Sequence, residues 1–212
     1  MANNYEFIIA GLPQLVLDFQ SGNFNLKALT TSVRELLDEK DNRWLDWLDK
    51  GMESQYLNSH FYRAVQKCSN GFIREYFSFD RDVRNIIAAY TAREYKQGIK
   101  DHLVGSNELT EQLSVSRADD FDLEYISPYG GPLHRIMQLK DPVEREQKTD
   151  RLRWDKASEL TVFHYFTIDV ILAFLLKAGI VARWAKLDKE TGMKLFRELV
   201  HEVKSTYQAD KK

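Results

Sequence analysis

Apolar residues recur every three or four positions along most of the chain, which is the spacing of amphipathic helices. Over residues 26–48 this spacing predicts a helix with leucine, valine and tryptophan on one side. A second helix is predicted over 61–76, with Asn70-Gly71 as a candidate interruption. A third is predicted over 79–90, with Ser78 as its N-cap.

The second half of the chain carries clear start signals for helices. Asp141 can cap a helix over 142–161 whose first position is proline, where the missing N–H is not needed. A further helix is expected over 167–187, and a last amphipathic helix begins at Asp188.

Residues 162–182 are apolar on nearly every side of a helix. Such a helix is normally buried in a protein core or spans a membrane. His164, Asp169 and Lys177 interrupt this stretch, so it falls short of the roughly 18 to 20 uninterrupted apolar residues that a membrane span needs. We therefore predict a central packing helix.

The fold class follows from these helical patterns. Residues 5–10 (YEFIIA) are the only good strand candidate, and a lone strand has no partner, so helix or extended packing is expected there. We predict an all-α, multi-helix bundle. A polar stretch and the sequence SPYGGP suggest a loop or hinge over 115–132, between an N-terminal lobe of residues 1–114 and a C-terminal lobe of residues 133–212. One continuous domain is the alternative.

Charge and cysteine content narrow the function classes. The 212 residues include 30 basic and 32 acidic side chains, so the chain lacks the basic excess of a typical nucleic-acid-binding protein. The single cysteine, Cys68, cannot form an internal disulfide, and we expect it to act as a half-buried small apolar side chain. The N-terminus lacks the basic region of a secretory signal, which favours a cytoplasmic protein.

The chain contains no P-loop, nucleophile elbow, metalloprotease or paired-cysteine motif, so we predict no catalytic residue, cofactor or metal. Glu159, His164 and Asp169 are the most enzyme-like group. Their spacings of five would place them on different sides of one continuous helix, which disfavours a metal site. The alternative is a ligand-binding domain or enzyme whose pocket lies near His164 and Tyr165.

Two short charged patterns are candidate partner contacts. Asp169, Ala173 and Lys177 form a stripe that either faces solvent or admits another helix or loop. The second pattern, on the predicted third helix, consists of Asp82, Arg84 and Asn85. Three aromatic clusters (HFYRAV, REYFSF and VFHYF) are expected to pack in the core rather than to form a nucleic-acid surface.

Three blocks of sequence resemble an uncharacterised bacterial family whose genes lie among those of V-type (archaeal-type) ATPase subunits. The blocks are NNYEFIIAGLPQLVLDF, FSFDRDVRNIIAAYTAREY and RLRWDKASELTVFHYFTIDVILAFLLKAGIVARWAKLD. That family is similar in character to the C-type subunit of these ATPases, whose eukaryotic counterpart is the d-type subunit. This all-helical subunit caps the membrane ring and receives the foot of the central stalk.

The resemblance implies a non-catalytic, all-helical protein that links the central stalk to the membrane ring. Its partners would be stalk and ring subunits, and it would lie in the cytoplasm, peripheral to the inner membrane. The chain is shorter than the three-lobed C-type subunit, so at most two lobes are expected.

Overall fold

A computed structural model of the protein describes residues 4–17 and 25–186. These residues form nine α-helices, three short 3-10 helices and no β-strand, which confirms the predicted all-α, multi-helix fold. The α-helices are α1 (Tyr5–Ala10), α2 (Leu26–Leu36), α3 (Glu39–Met52), α4 (Ser59–Val65), α5 (Gly71–Glu94), α6 (Glu108–Val115), α7 (Gly130–Met137), α8 (Pro142–Glu159) and α9 (Ile168–Lys186). The 3-10 helices are Ser54–Tyr56, Ile99–His102 and Leu123–Tyr125.

Most helices begin at an asparagine or aspartate. The side-chain oxygen of that residue accepts a backbone N–H from the first turn, which would otherwise lack a partner. The capping residues are Asn4, Asn25, Asp38, Asn58, Asn70, Asn107 and Asp141. The predicted start of α8, with its capping aspartate and proline, is confirmed.

Two predicted helix boundaries are wrong. The helix expected over 26–48 is two helices, because Asp38 ends the first pattern and caps α3. Ser78 does not begin a helix, since it lies inside the 24-residue α5 and its hydroxyl donates to the Arg74 carbonyl at 2.7 Å. The start of α5 is instead at Asn70-Gly71, where the sequence suggests only an interruption.

The long helices α5 and α9 form the centre of the bundle. α5 contacts α3, α4, α6, α7 and α8, while α9 contacts α1, α2, α3 and α8. Val83 and Ile86 of α5 and Leu172 and Leu175 of α9 are fully buried. The predicted central packing helix is thus present and begins at residue 168, next to its expected start at 167, while residues 162–166 of the apolar stretch lie outside it. No helix in the described parts of the chain is both long and apolar enough to cross a bilayer.

Helix α3 approaches the centre of the bundle through a glycine. A Cβ atom at Gly51 would overlap the ring of Phe77 on α5, so only a residue without a side chain fits there. Leu45 and Leu48, on the same helix, are buried in the core. The close approach of α3 to α5 therefore depends on this glycine.

Residues 116–129 connect α6 to α7 and are anchored to α5. The guanidinium group of Arg93 lies 3.5 Å from the centroid of the Phe121 ring and donates to the carbonyls of Ser116 and Ala118. Phe121 and Leu123 are fully buried, and a single cluster of buried side chains includes residues on both sides of this segment. The division into two lobes stays a prediction, and the last predicted helix, from Asp188, lies outside the described residues.

Candidate functional site

The chain turns between α8 and α9, so the two do not form one continuous helix. α8 ends at Glu159 and α9 begins at Ile168. The Thr161 hydroxyl donates to the Ala157 carbonyl at 3.1 Å, and this bond supports the last turn of α8. The two helices then pack side by side.

The segment between these helices exposes valine and aromatic side chains, and we call residues 162–166 the aromatic turn. The exposed fractions are 58% for Val162, 87% for Phe163, 72% for Tyr165 and 57% for Phe166. The prediction that this cluster packs in the core is wrong, because the turn carries these side chains out of the bundle. The other two aromatic clusters do pack in the core, through Phe61, Tyr62, Tyr76, Phe77 and Phe79.

The aromatic turn is tied to the bundle through His164. Its Nδ1 atom lies 3.0 Å from Oδ2 of Asp169, and the Asn70 amide donates to Oδ1 of the same carboxylate at 2.9 Å. The expected separation of His164 and Asp169 is therefore wrong, because they do not share one helix. Glu159 does not join them, since it pairs with Lys156 at 2.9 Å.

The stripe of Asp169, Ala173 and Lys177 packs against other parts of the bundle. Ala173 is buried, and Nζ of Lys177 lies 5.2 Å from the ring centroid of Trp154 on α8. Burial lowers the pKa of Lys177, and the nearby Asp155 carboxylate offsets part of that shift. The stripe is thus a contact within the protein rather than an open charged surface.

The three candidate contacts on α5 lie in different environments. Asp82 binds the Arg81 guanidinium at 2.9 Å. Asn85 is only 1% exposed, and its amide exchanges hydrogen bonds of 2.8 and 2.9 Å with the backbone of Val104, so it holds a loop and is closed to a partner. Arg84 is the most accessible, with 41% of its side chain exposed.

Arg84 belongs to a group of charged side chains that the sequence did not reveal. This charged cluster joins α5, α8 and α9, and it consists of Asp80, Arg84, Glu146, Asp150, Arg153 and Arg183. Asp80 accepts from Nε of Arg84 at 2.6 Å and from Nε of Arg153 at 2.9 Å.

Asp150 continues the charged cluster towards α9. It accepts from Nη1 of Arg153 at 3.1 Å, from the Trp184 indole at 2.7 Å and from Arg183. Arg183 also pairs with Glu146 at 2.8 Å. Three guanidinium groups from three helices are thus held in a row by two buried carboxylates.

Asp80 and Arg153, two buried members of this cluster, keep their charges because they are paired. Burial alone would raise the pKa of Asp80, but Arg153 and Arg84 outweigh it and hold that pKa below its usual value. Burial opposes the charge of Arg153 as well, yet Asp80 and the other acidic neighbours raise its pKa above the usual arginine value.

Part of this cluster is visible in local spacing. Asp80 and Arg84 are four residues apart, and Asp150 and Arg153 are three apart, so each pair lies on one side of a helix. No local pattern could have linked Arg153 to Asp80, which is 73 residues away.

Among residues 4–17 and 25–186, no group of three or more His, Cys, Asp or Glu side chains is placed to hold a metal ion. Two other arrangements could bind a partner or a ligand. One is the aromatic turn, which is an exposed apolar surface, and the other is a set of arginines beside a cleft. The first can bind a protein surface, and the second offers hydrogen-bond donors to an anion.

Comparison with known proteins gives one family. The family described as a protein of unknown function (DUF2764) matches residues 49–207, which include the charged cluster and the aromatic turn. No curated protein and no solved structure matches the chain.

Proposed function

The chain belongs to the DUF2764 family of proteins of unknown function, and we propose that it is a non-catalytic subunit or accessory factor of a V-type rotary ATPase. In this proposal it resembles the C-type subunit and links the central stalk to the membrane ring. It lies on the cytoplasmic side, peripheral to the inner membrane through the complex. The proposed partner is inferred from the resemblance of three sequence blocks to a family encoded with these ATPases.

The observation that carries the proposal is the exposure of the aromatic turn. Burying a side chain such as phenylalanine against a partner contributes about 1.5–3 kcal/mol. Phe163, Tyr165 and Phe166 together therefore offer enough apolar surface for a binding hot spot, and aromatic residues are typical of such spots.

The aromatic turn is also held in place before any partner binds. His164, at its centre, contacts Asp169, which Asn70 fixes from the start of α5. A preformed turn loses less conformational entropy on binding than a free loop does. This supports a docking element rather than an unstructured connection.

The experiment is co-expression of the tagged chain with the stalk and ring subunits of the V-type ATPase from the same genome. We expect these ATPase proteins to co-purify with the wild-type chain. The double variant Phe163→Ser, Tyr165→Ser should recover them at least about tenfold less well, because it removes two aromatic contacts. Tyr125→Ser is the matched control, since Tyr125 is 93% exposed in a different segment.

Two results would contradict different parts of the proposal. If the wild-type chain recovers none of the stalk or ring proteins, the assignment to the ATPase is wrong. If the double variant recovers them as well as the wild-type chain does, the assignment stands but the aromatic turn is not the contact.

A second candidate function is a ligand-binding domain or enzyme that uses His164. The contact of Nδ1 with Asp169 favours it, because a carboxylate that orients one imidazole nitrogen leaves Nε2 to act as a base. Hydrolysis of p-nitrophenyl acetate tests this function. Activity that is lost in His164→Gln and kept in His60→Gln, a change at another exposed histidine, would support it. Equal rates in the two variants would remove it.

A further inference from the structure

A cleft of about 500 Å³ lies beside the charged cluster. Its basic lining consists of Arg81, Arg84, His102, Arg153 and Arg183. We call this space the arginine cleft. It lies among α5, α8, α9 and the 3-10 helix Ile99–His102.

Several guanidinium nitrogens of the arginine cleft have no protein partner among the described residues. Arg84 bonds only through Nε, which leaves both of its Nη atoms. Arg153 bonds through Nε and Nη1, which leaves Nη2. Arg183 bonds through Nη2, which leaves Nε and Nη1.

The free nitrogen of Arg153 is the most informative of these. Arg153 is only 9% exposed, and within the described residues every solvent-excluded side-chain nitrogen or oxygen has a hydrogen-bond partner. Because Nη2 has none, it must be accessible to solvent, and Arg153 lines both the arginine cleft and a neighbouring cavity that contains Asp80 and Asp150. A charged residue about nine-tenths buried thus keeps an unused donor where these two spaces meet.

The charged side chains that line the arginine cleft are mostly basic. Its lining contains four arginines and one acidic residue, Glu146. The carboxylates that pair with Arg84 and Arg153, Asp80 and Asp150, do not line this cleft; they line a neighbouring cavity, together with the same three arginines of the charged cluster. An anion in the arginine cleft would therefore meet the guanidinium groups without contacting these two carboxylates.

We propose that the arginine cleft binds the phosphate group of a small ligand. A carboxylate accepts the two parallel N–H donors (the fork) of one planar guanidinium group, whereas the oxygens of a phosphate accept donors from several directions at once. Arg84, Arg153 and Arg183 come from three helices, which suits the phosphate. Leu57, Tyr62 and Ile87 also line the cleft, so an organic group can follow the phosphate. This proposal is independent of the ATPase assignment.

The test is calorimetric titration of the whole purified chain with inorganic phosphate at constant ionic strength. We expect Arg84→Gln to weaken binding at least about tenfold, because it removes the unused Nη donors. Arg84→Lys keeps the charge but not the fork, and should weaken binding at least about threefold. Arg43→Gln, a change at an exposed arginine on α3, should leave the affinity within about twofold.

Additional measurements keep the result interpretable. Arg183→Gln tests the same site from another helix and should also weaken binding at least about tenfold. The far-UV circular dichroism and melting temperature of each variant show whether it is folded. Glycerol 3-phosphate tests an organic phosphate ester, and succinate tests a carboxylate of similar size.

Each outcome either supports or overturns the proposal. Binding of inorganic phosphate or of glycerol 3-phosphate that depends on Arg84 and Arg183 supports it. It is overturned if neither phosphate binds below about 10 mM, or if succinate binds equally well. It is also overturned if Arg43→Gln weakens binding as much as Arg84→Gln does.

Discussion

Replacing Asp80 by asparagine should destabilise the protein strongly. The Asp80 side chain is 4% exposed and binds two guanidinium groups, at 2.6 Å to Arg84 and 2.9 Å to Arg153. Asparagine has nearly the same shape but no charge, so the change removes the ion pairs without leaving a cavity. Arg153 is then left buried with less compensation for its charge.

The magnitude follows from the surroundings of the two arginines. Breaking one partner of a buried ion pair costs about 3–5 kcal/mol. Arg84 is 41% exposed and can turn to water, and Arg153 keeps Asp150 at 3.1 Å, so we expect the lower end of that range. For a chain of this size, about 3 kcal/mol corresponds to a fall in melting temperature of roughly 6–12 °C.

Urea unfolding followed by circular dichroism gives the free energy of unfolding of each variant. Glu39→Gln is the control, because its pair with Arg43 is exposed, and it should change the free energy by less than about 0.5 kcal/mol. Adding Arg153→Met to Asp80→Asn should cost less than the sum of the two single changes, because it removes the unpaired charge. A loss below about 1 kcal/mol for Asp80→Asn would refute the reasoning.

The pH dependence of Asp80→Asn has a definite sign. The pKa of Asp80 is lower in the folded protein than its ordinary value of 3.8, so its ion pairs contribute fully above that value. The contribution is lost as pH falls below 3.8 and through the folded pKa. The difference in stability between the wild-type protein and Asp80→Asn should therefore be largest near neutral pH and shrink below pH 3.8.

Three further experiments, one labelling reaction and two substitutions, test other parts of the structure. Burial raises the pKa of the Cys68 thiol, so iodoacetamide should label it slowly in the folded protein and rapidly in urea, and equal rates would contradict its burial. Lys177→Met should stabilise the protein by up to about 1 kcal/mol at neutral pH, because burial lowers the pKa of this lysine, and a clear loss in urea unfolding would show that its contact with Trp154 matters more. Gly51→Ala should destabilise by about 1–3 kcal/mol in the same assay, because its methyl group overlaps Phe77, and no loss would mean that α3 can move outward.

The positions of most helices could be predicted because they depend on near neighbours. The apolar spacing of a helix and the bond from a capping side chain to the first turn both act over three or four residues. Asp141 and the proline after it identify the start of α8 for this reason. The cap at Asp38 is equally visible in the sequence, but the apolar pattern continues past it and hides the break.

The aromatic turn depends on where α8 ends. Residues 160–167 contain no glycine or proline, so the usual signals for a break are missing. Threonine, valine and aromatic residues are nevertheless weaker helix formers, and the helices predicted over 142–161 and 167–187 leave residues 162–166 between them, so the break is expected. The exposure of these side chains is not expected, because the same apolar residues can be buried or exposed according to how the turn packs on the bundle.

An all-helical chain with a buried central helix is encoded locally, in amphipathic spacing and helix caps that can be read from the sequence. The packing of the helices instead determines which charged side chains form ion pairs. Arg153 reaches Asp80 across 73 residues, and Arg183 reaches Asp150 across 33, so their pairing exists only once α5, α8 and α9 have packed. The unused donors of the arginine cleft arise in the same way, since each guanidinium group is oriented by a carboxylate that packing brings to it.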